Sequence, residues 1–350
     1  MTIKLIAGAF LACAAALAAS AGTNDKSAGW SLDEPVLSNV LDSQLDCGAW
    51  AKNIDKRKPF DARRRAKIAE MKSVATEATI DNNATTTEIR YLLRHHRERG
   101  DAASLAAAVR GIDWLLATQL ANGGWAQFPH RTEGYWTQIT FNDNAMRNVL
   151  ELLRDIAEGA PGMDAVGTER RAKCRAAFEK GLACVLNCQI RVDGQPTVWC
   201  QQHDRETLRP ANGRAYELAS FCSQESADIV QFLMTLDNPS PEVIASVEGA
   251  VRWFEKTRLP DGKWARFYDL EECRPFFCDR SGVPKRDISE IDKERRTGYA
   301  WFGKKGADVL KKYEKWRVAP GASGKKDKKD KKDKSKKEKK EKKAKEQAAE

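Results

Sequence analysis

The sequence lacks the features of a membrane protein, a zinc protein or an all-β protein. After residue 22, no apolar run approaches the roughly 20 residues that a helix needs to cross a bilayer, and no Cys-x-x-Cys pair occurs. Few segments alternate apolar and polar residues as a half-buried strand does. These absences argue against a membrane span, a zinc module of common spacing and a fold built from sheets.

The N-terminus is typical of a secretory signal peptide. Residues 1–22 read MTIKLIAGAFLACAAALAASAG, with one early lysine, an apolar run over residues 5–18 and small residues at 19–21. This run is too short and too rich in small residues for a stable membrane anchor. We predict cleavage near residues 21–23 and therefore a secreted or periplasmic protein.

Cysteine usage agrees with export. Nine cysteines are present, of which Cys13 would leave with the signal peptide. An even number in an oxidising compartment favours disulfides, although eight thiols allow 105 pairings and the sequence cannot choose among them. We predict disulfides among the remaining eight: Cys47, Cys174, Cys184, Cys188, Cys200, Cys222, Cys273 and Cys278.

The net charge of the chain is concentrated at its C-terminus. Residues 325–350 contain 14 lysines and 7 acidic residues, so they carry +7 of the total +10 and leave +3 for the rest. With no apolar side chain larger than alanine, this segment cannot form a core, and we predict a disordered tail over residues 319–350. No motif for reading nucleic-acid bases accompanies it, so we do not expect a nucleic-acid partner.

Helical periodicity dominates between residues 51 and 313. Apolar residues recur at helical spacing over residues 62–72, 86–96, 103–120, 144–156, 169–186, 226–236 and 241–257, whereas residues 197–200 and 266–270 are the best strand candidates. An interval of this length can bury one sizeable core. We predict an N-terminal lead over residues 23–49 and one mainly helical domain over residues 50–318.

A helix, an Asn/Asp-Gly turn and a tryptophan recur three times in this interval. GIDWLLATQLANGGW, GLACVLNCQIRVDGQPTVW and AVRWFEKTRLPDGKW end at Trp125, Trp199 and Trp264, which are 74 and 65 residues apart. That spacing fits a helical hairpin with its loops, and repeated hairpins form stacked or closed arrays. We therefore predict an all-α fold, an α/α toroid with long loops and a few short strands lining a cleft at one end.

Two helix starts carry more polar side chains than a cap requires. In IDNNATTTEIRYL, Thr85 and Glu88 form a T-x-x-E capping box and leave Asp81 and Asn82 without a role in the helix. FNDNAM likewise places Asp143 between two amides ahead of an amphipathic helix. An Asx-type turn explains each stretch by itself. Together they offer the oxygen ligands that calcium prefers, although without EF-hand spacing.

Arginines lie beside aromatic residues in the loops after the second and third repeats. Arg214 occurs in GRAYE, Arg266 in WARFYDL and Arg280 in RPFFCDR. Forked guanidinium donors suit the carboxylates of acidic sugars, and aromatic ring faces suit the sugar rings. Packing of surface arginines on aromatic rims explains the pattern equally well at this point.

Seven blocks of the sequence, in this order, resemble the pectate lyases of polysaccharide lyase family 10. They are DNNATTTEIRYL, NGGWAQFP, ITFNDNAM, QQHD, GRAYE, WARFYDL with RPFFCDR, and ERRTGYAW, and they extend from about Trp50 to Trp316. The resemblance implies an α/α-toroid catalytic module that cleaves de-esterified homogalacturonan by calcium-assisted anti β-elimination. It thus implies Ca²⁺ as cofactor and polygalacturonate as substrate, and we expect a monomer.

The resemblance also implies roles for six residues. These are a calcium ligand for Asp143, an acidic–amide pair at the calcium and substrate site for Asp81 and Asn82, the proposed Brønsted base for Arg214, and substrate-carboxylate binding for Arg266 and Arg280. Two departures from the family pattern stand out. Asn83 replaces a frequent glycine, and the segment before Trp264 is shorter than usual, which puts the substrate length preference in doubt.

The residue types suit an elimination reaction. Removal of the C5 proton, α to the uronate carboxylate, gives an enolate-like anion that a divalent cation and guanidinium groups stabilise. An arginine base is unusual because the pKa of its side chain is above 12. The alternative keeps Arg214 charged as a carboxylate clamp, with hydroxide or another group taking the proton.

Two other classes of protein remain open at this stage. One is a non-catalytic polyuronate-binding protein. The other is a toroidal glycoside hydrolase, which needs a carboxylate acid/base pair across a cleft. For that pair, Asp143 and Asp204 are the only candidates we can name.

Overall fold

The computed structural model of the chain describes residues 26–318. The predicted signal peptide over residues 1–22 and the predicted tail over residues 319–350 lie outside the described residues. Within the described part, no helix is both long and apolar enough to cross a bilayer. The α-helices there are α1 Glu34–Asp42, α2 Ala62–Met71, α3 Thr86–Arg99, α4 Ala102–Ala117, α5 Ala145–Glu158, α6 Thr168–Cys188, α7 Ser223–Leu233, α8 Pro241–Thr257, α9 Lys293–Gly298 and α10 Lys305–Trp316.

The strands of residues 26–318 are two residues long and pair antiparallel. They are β1 Ile139–Thr140, β2 Arg191–Val192, β3 Gln195–Pro196, β4 Gln202–His203, β5 Pro210–Ala211, β6 Phe221–Cys222, β7 Trp264–Ala265, β8 Phe267–Tyr268, β9 Phe277–Cys278, β10 Pro284–Lys285 and β11 Phe302–Gly303. One sheet has the order β1-β4-β5, and the pairs are β2–β3, β6–β8, β7–β11 and β9–β10. The mainly helical α/α fold with short strands is confirmed.

The helix predictions hold better than the strand predictions. Each of the seven segments with helical periodicity is a helix, α2 to α8, with ends within three residues of the expected ones. Residues 266–270 contain β8, but the strand expected over residues 197–200 is wrong. Its backbone groups do not form a regular ladder with a partner strand. The N–H of Trp199 donates to the hydroxyl of Ser226 at 2.9 Å, and Val198 O accepts the N–H of Ile190.

Helices α3, α5 and α7 form the inside of the toroid. Each follows a loop and then turns back into an outer helix, α4, α6 or α8. The inner helices are buried around most of their circumference, whereas α4 and α6 keep an exposed face. The buried ion pair of Arg90 in α3 with Asp155 in α5, 2.7 Å apart, joins two neighbouring inner helices.

After each of the outer helices α1, α4, α6 and α8, a buried tryptophan forms a hydrogen bond back to that helix. Its indole N–H donates to a backbone carbonyl of the helix: Trp50 to Val40 at 2.8 Å, Trp125 to Leu115 at 2.8 Å, Trp199 to Val185 at 2.7 Å, and Trp264 to Phe254 at 2.9 Å. The bond satisfies a carbonyl near the helix end, where intrahelical partners run out. Trp50 adds a fourth member to the predicted repeat. The fold therefore begins at α1, inside the segment assigned to the lead.

The tryptophans and their turns also dock on the next outer helix. Gly111 of α4 lies against Trp50, Gly181 of α6 against Trp125, and Gly306 of α10 against Trp264, each so closely that a Cβ would lie 2.7–3.0 Å from the ring. In the turn that ends at Trp125, Gln119 Nε2 donates a hydrogen bond to Ala177 O of α6 at 2.8 Å. Close approach of ring and backbone thus fixes the spacing between successive hairpins.

The predicted disulfides are not present among residues 26–318, where all eight cysteines are free thiols. Cys184 and Cys188 lie one turn apart on α6 with their Sγ atoms 4.0 Å apart, about twice the length of a disulfide bond. Most of the others are buried and fill core space as small apolar side chains.

Gly111→Ala tests the contact between turn and helix. In an open helix the change would stabilise by roughly 1 kcal/mol, but here the new Cβ would lie 2.8 Å from Ile89 Cγ1 and 2.9 Å from Trp50. We expect a net loss of about 1–2 kcal/mol in the free energy of unfolding from overpacking, measured by urea denaturation. Gly29→Ala, where a Cβ meets nothing within 4 Å, is the control. A more stable Gly111→Ala protein would contradict this account.

Candidate active site

The inner helices α3, α5 and α7 begin at the same end of the toroid. A short turn, Asp81–Asn83, leads into α3, and a second, Asn142–Asn144, leads into α5, while β6 leads into α7. The two turns touch one another, and the second also contacts α7. The two polar stretches of the sequence therefore meet in space, although 61 positions separate their first residues.

The amide-rich composition of these turns has a backbone cause. Asn82 and Asn83 have φ of 51° and 64°, and Asp143 and Asn144 have φ of 49° and 61°. These are left-handed conformations, which asparagine and aspartate tolerate better than other residues with a Cβ. These polar residues therefore have two compatible explanations, because the same side chains favour the turn conformation and line the cleft.

The capping box predicted at the start of α3 is wrong. Thr85 has a φ of 65° and its side chain makes no cap bond; its hydroxyl accepts from the N–H of Trp50 at 3.1 Å and donates to Thr79 O at 2.9 Å. Glu88 forms a buried ion pair with Lys56 at 2.6 Å. Both side chains that the local pattern assigned to the helix end therefore bond to residues outside the helix.

Asp81 is buried beneath the first turn and does not project freely into the cleft. Its carboxylate forms an ion pair with Lys52 and accepts the N–H of Asn82 at 2.9 Å. The Asn82 side chain lies in the cleft and donates to Asn53 Oδ1 at 3.1 Å. Asp81 therefore fixes the turn and adds negative charge below it.

A cavity of about 260 Å³ lies where the three helix starts meet. It is lined by Lys26, Asn82, Asn83, Asp143, Asn144, Gln224, Glu225, Asp228, Arg266 and Lys305. Of the lining carboxylates, Glu225 pairs with Arg266 and Asp228 pairs with Lys305. Asp143 has no cationic partner within 4 Å among residues 26–318 and is bonded only by the Asn142 amide at 3.0 Å.

The carboxyl of Asp143 sits in an unfavourable electrostatic position. Although the residue is exposed to the cleft, partial desolvation is the largest cause that raises the pKa of its carboxyl, and the charges of Asp81 and Glu225 raise it further. Arg266 and Arg214 oppose this effect without cancelling it. The site thus has a carboxylate that a bound cation would stabilise.

Arg214 is held by a buried carboxylate. Its guanidinium pairs with Glu217, whose Oε2 also accepts the Arg214 N–H at 3.0 Å and whose Oε1 accepts the Tyr299 hydroxyl at 2.7 Å. Burial by itself would raise the pKa of Glu217, but these bonds lower it overall. Burial would lower the pKa of Arg214, yet the pair with Glu217 raises it. Arg214 is therefore a cation in a fixed place.

Arg266 is held in the same way and lies near the same ring, that of Tyr299. It is mostly buried, pairs with Glu225, and has its guanidinium carbon 4.9 Å from the centre of the Tyr299 ring; the Arg214 carbon is 5.7 Å from that ring. Burial would lower the pKa of Arg266, but the charge of Glu225 raises it. Two charged guanidinium groups thus flank one ring, each balanced by its own glutamate.

Arg280 lies further out than Arg214 and Arg266. Its side chain is 67% exposed, against 43% for Arg214 and 14% for Arg266, and it lies 3.4 Å from Glu294. It approaches the Tyr216 ring at 5.9 Å, together with Arg214 at 5.0 Å and Arg295 at 4.8 Å. The structure therefore brings Arg214, Arg266 and Asp143 together and places Arg280 on the rim.

The residues that sequence reasoning missed are the partners of the arginines. Glu217 lies three residues after Arg214 in GRAYE, a local spacing that could have suggested a pair. The pairing of Glu225 with Arg266 joins residues 41 apart, and no local pattern indicates it. Tyr299 belongs to ERRTGYAW, a block whose role the sequence leaves open.

The QQHD loop is structural in this fold. His203 is fully buried, its Nε2 accepts the N–H of Cys200 at 3.0 Å, and burial lowers its pKa to about 4. Asp204 accepts bonds from the N–H and the hydroxyl of Thr207, which lower its pKa. These bonds hold the Asp204 side chain within its own loop.

Comparison with known proteins gives consistent matches. The family model described as pectic acid lyase matches residues 44–263 and 260–310. A family 10 polysaccharide lyase from Cellvibrio cellulosa is 30% identical with a TM-score of 0.74, and the alignment covers 84% of this chain and 94% of that one. A mutant of a family 10 polysaccharide lyase from the same organism, solved in complex with trigalacturonic acid, matches with the same identity and TM-score over 84% and 95% of the chains. None of the curated proteins compared with the chain matches it.

Asp143→Asn tests the electrostatic strain at this cleft. Because the folded state raises the pKa of Asp143, its ionised form opposes folding as pH rises through that pKa. We expect Asp143→Asn to raise the melting temperature at neutral pH without divalent cations, and the difference to shrink as the solution is acidified. Asp46→Asn, at an exposed aspartate that has no ion pair within residues 26–318, is the matched control. A lower melting temperature for Asp143→Asn at neutral pH would refute the assignment.

Proposed function

The chain belongs to the pectic acid lyases of polysaccharide lyase family 10 and is a pectate lyase, and we propose that it cleaves α-1,4-linked polygalacturonate by calcium-dependent anti β-elimination. The products would be 4,5-unsaturated oligogalacturonides. One observation carries the proposal: Asp143, which has no cation within 4 Å among residues 26–318, lines the same cavity as Arg266. Arg214 lies at the same Tyr299 ring as Arg266, and a buried glutamate holds each of the two guanidinium groups in place.

The oxygen donors of the 260 Å³ cavity fit a calcium ion. Asp143, with Asn82 and Asn144 beside it, offers carboxylate and amide oxygens, the donors that calcium prefers. Within residues 26–318, no three His, Cys, Asp or Glu side chains are grouped closely enough to hold a metal ion by themselves. We therefore propose that Asp143 shares the ion with amide oxygens and with a substrate carboxylate. When bound, calcium would neutralise that carboxylate and make the adjacent C5 hydrogen more acidic.

The arginines would bind the carboxylates of the substrate. Arg266 would bind the carboxylate of the reacting uronate, and Arg280 would bind a carboxylate at the rim. Because Glu225 and Tyr299 already hold Arg266, little reorganisation is needed when negative charge develops during proton removal. Asp81 would act indirectly, by fixing the turn that presents Asn82 to the cleft.

We propose Arg214 as the Brønsted base, with one requirement that the geometry adds. The pair with Glu217 raises the pKa of Arg214, so Arg214 must release its own proton to solvent before it accepts the C5 proton. Arg280 and Arg295, which share the Tyr216 ring with it, favour that release by charge repulsion. If Arg214 stays charged, it is a clamp and hydroxide takes the proton.

We also propose that the enzyme is exported and acts as a monomer. Residues 1–22 have the pattern of a signal peptide, and a polymeric substrate must be met outside the cytoplasm. The catalytic domain would comprise residues 50–318 together with α1, whose Val36, Leu37 and Val40 belong to the same core.

Incubation with polygalacturonate tests the function. We expect ultraviolet-absorbing products with a double bond, a loss of activity of more than tenfold on addition of a chelator, and recovery on addition of Ca²⁺. Reducing ends without ultraviolet absorbance would indicate a hydrolase, and binding without either product would indicate a non-catalytic polyuronate-binding protein. Either result would refute the proposal.

Arg214 and Glu217 variants separate a base from a clamp. We expect Arg214→Ala to abolish product and Glu217→Gln to lower kcat by about 100-fold with little change in KM, the typical cost of misplacing a catalytic group. Since Glu217 raises the pKa of Arg214, the rate of Glu217→Gln should rise at lower pH than that of the wild type if Arg214 is the base. Robust activity of Arg214→Ala would exclude that role. Lys180→Ala, at an exposed lysine on α6, is the control.

A further inference from the structure

A second and larger cavity adjoins the candidate active site. Its volume is about 540 Å³, within the range of saccharide- and ligand-sized pockets. It shares Lys26, Asn82 and Asn83 with the 260 Å³ cavity, so the two cavities are neighbours. A linear polymer that occupies the first cavity would therefore reach the second within a few sugar units.

One wall of this cavity is the N-terminal segment of residues 26–30, which precedes the family-model match at residue 44. The segment is firmly attached. Arg94 of α3 donates to Ala28 O at 2.7 Å and to Trp30 O at 2.8 Å, and the Trp30 ring packs 5.6 Å from the ring of Tyr91. The wall is thus a built part of the fold.

A second wall is the loop of residues 51–57, which supplies half of the lining residues. Lys52 and Arg57 project from it, and Arg57 is 61% exposed although it pairs with Asp55 at 2.8 Å. The Lys26 ammonium has no ion-pair partner within 4 Å among the described residues. Since Lys56 and Glu88 neutralise each other below the surface, the accessible charge of the cavity is positive.

These features match one kind of ligand. A partly exposed indole face offers a surface for a pyranose ring, and lysine and arginine on both walls suit carboxylates spaced along a polymer. Asn53 and Asn82 add amide groups for hydroxyls.

We propose that this cavity is an additional subsite for galacturonosyl units that flank the reacting bond, with Trp30 and Arg57 as its binding residues and Lys26 at its junction with the reactive cleft. The inference rests on the proposed function, because it takes the ligand class from it. The subsite makes binding depend on chain length, and residues outside the family-model match contribute to it.

Binding of saturated oligogalacturonates of three to eight units, measured by calorimetry in the Arg214→Ala background, tests the subsite without turnover. In the parent protein, affinity should increase with length. Arg57→Ala and Trp30→Ala should each reduce affinity for the long oligomers by about tenfold, the equivalent of one charge-assisted hydrogen bond, with less than a threefold change for the trimer. Lys180→Ala, which lines neither cavity, should change neither.

Three results would overturn the proposal: affinity that does not grow with length in the parent, equal losses for short and long oligomers, or no loss in Arg57→Ala. Arg57→Ala guards against local unfolding, because its side chain is exposed and belongs to a different segment of the lining from Trp30. Failure of the subsite stays distinguishable from failure of the proposed function, since the latter is judged by double-bond formation in the wild type.

Discussion

The hydrogen bond from a buried indole N–H to a helix carbonyl is the interaction on which this architecture depends. The last carbonyls of a helix have no intrahelical partner, and in a buried turn they must find one. Trp50, Trp125, Trp199 and Trp264 supply it, and three of these rings rest on a glycine of the next outer helix. Because each turn is fixed to its neighbour, the inner helices α3, α5 and α7 all begin at one end, where the cleft forms.

The charged side chains at that end of the toroid are only partly paired. Arg214 and Arg266 each have a buried glutamate that holds them in position, so their charges add to the field of the cleft without moving. Among residues 26–318, Asp143 has no ion-pair partner, and partial desolvation together with the charges of Asp81 and Glu225 raises the pKa of its carboxyl. Replacing such a carboxylate would stabilise the folded protein. Its presence is typical of sites where a bound cation or substrate offsets the repulsion between neighbouring carboxylates.

Local patterns predicted the helices well and the side-chain partners poorly. Helices α2 to α8 follow from the periodicity of apolar residues alone, since a buried stripe requires it. The capping box failed because Thr85 and Glu88 bond to Trp50, Thr79 and Lys56, residues that the local sequence does not place nearby. Disulfides were inferred from number and compartment, but the thiols of α6 lie one turn apart at a non-bonded distance.

The sequence alone determined the residue types at the site: amides and acids that accept left-handed turns, and arginines beside aromatic rings. It also determined the repeat, since tryptophan and an Asn/Asp-Gly turn recur after successive helices. Only the tertiary structure decided which charges are neutralised. Glu225 meets Arg266 from 41 residues away, while no cation of the described residues lies within 4 Å of Asp143. Such pairings depend on how the hairpins close around the toroid, and the periodicity of a single helix carries no information about that closure.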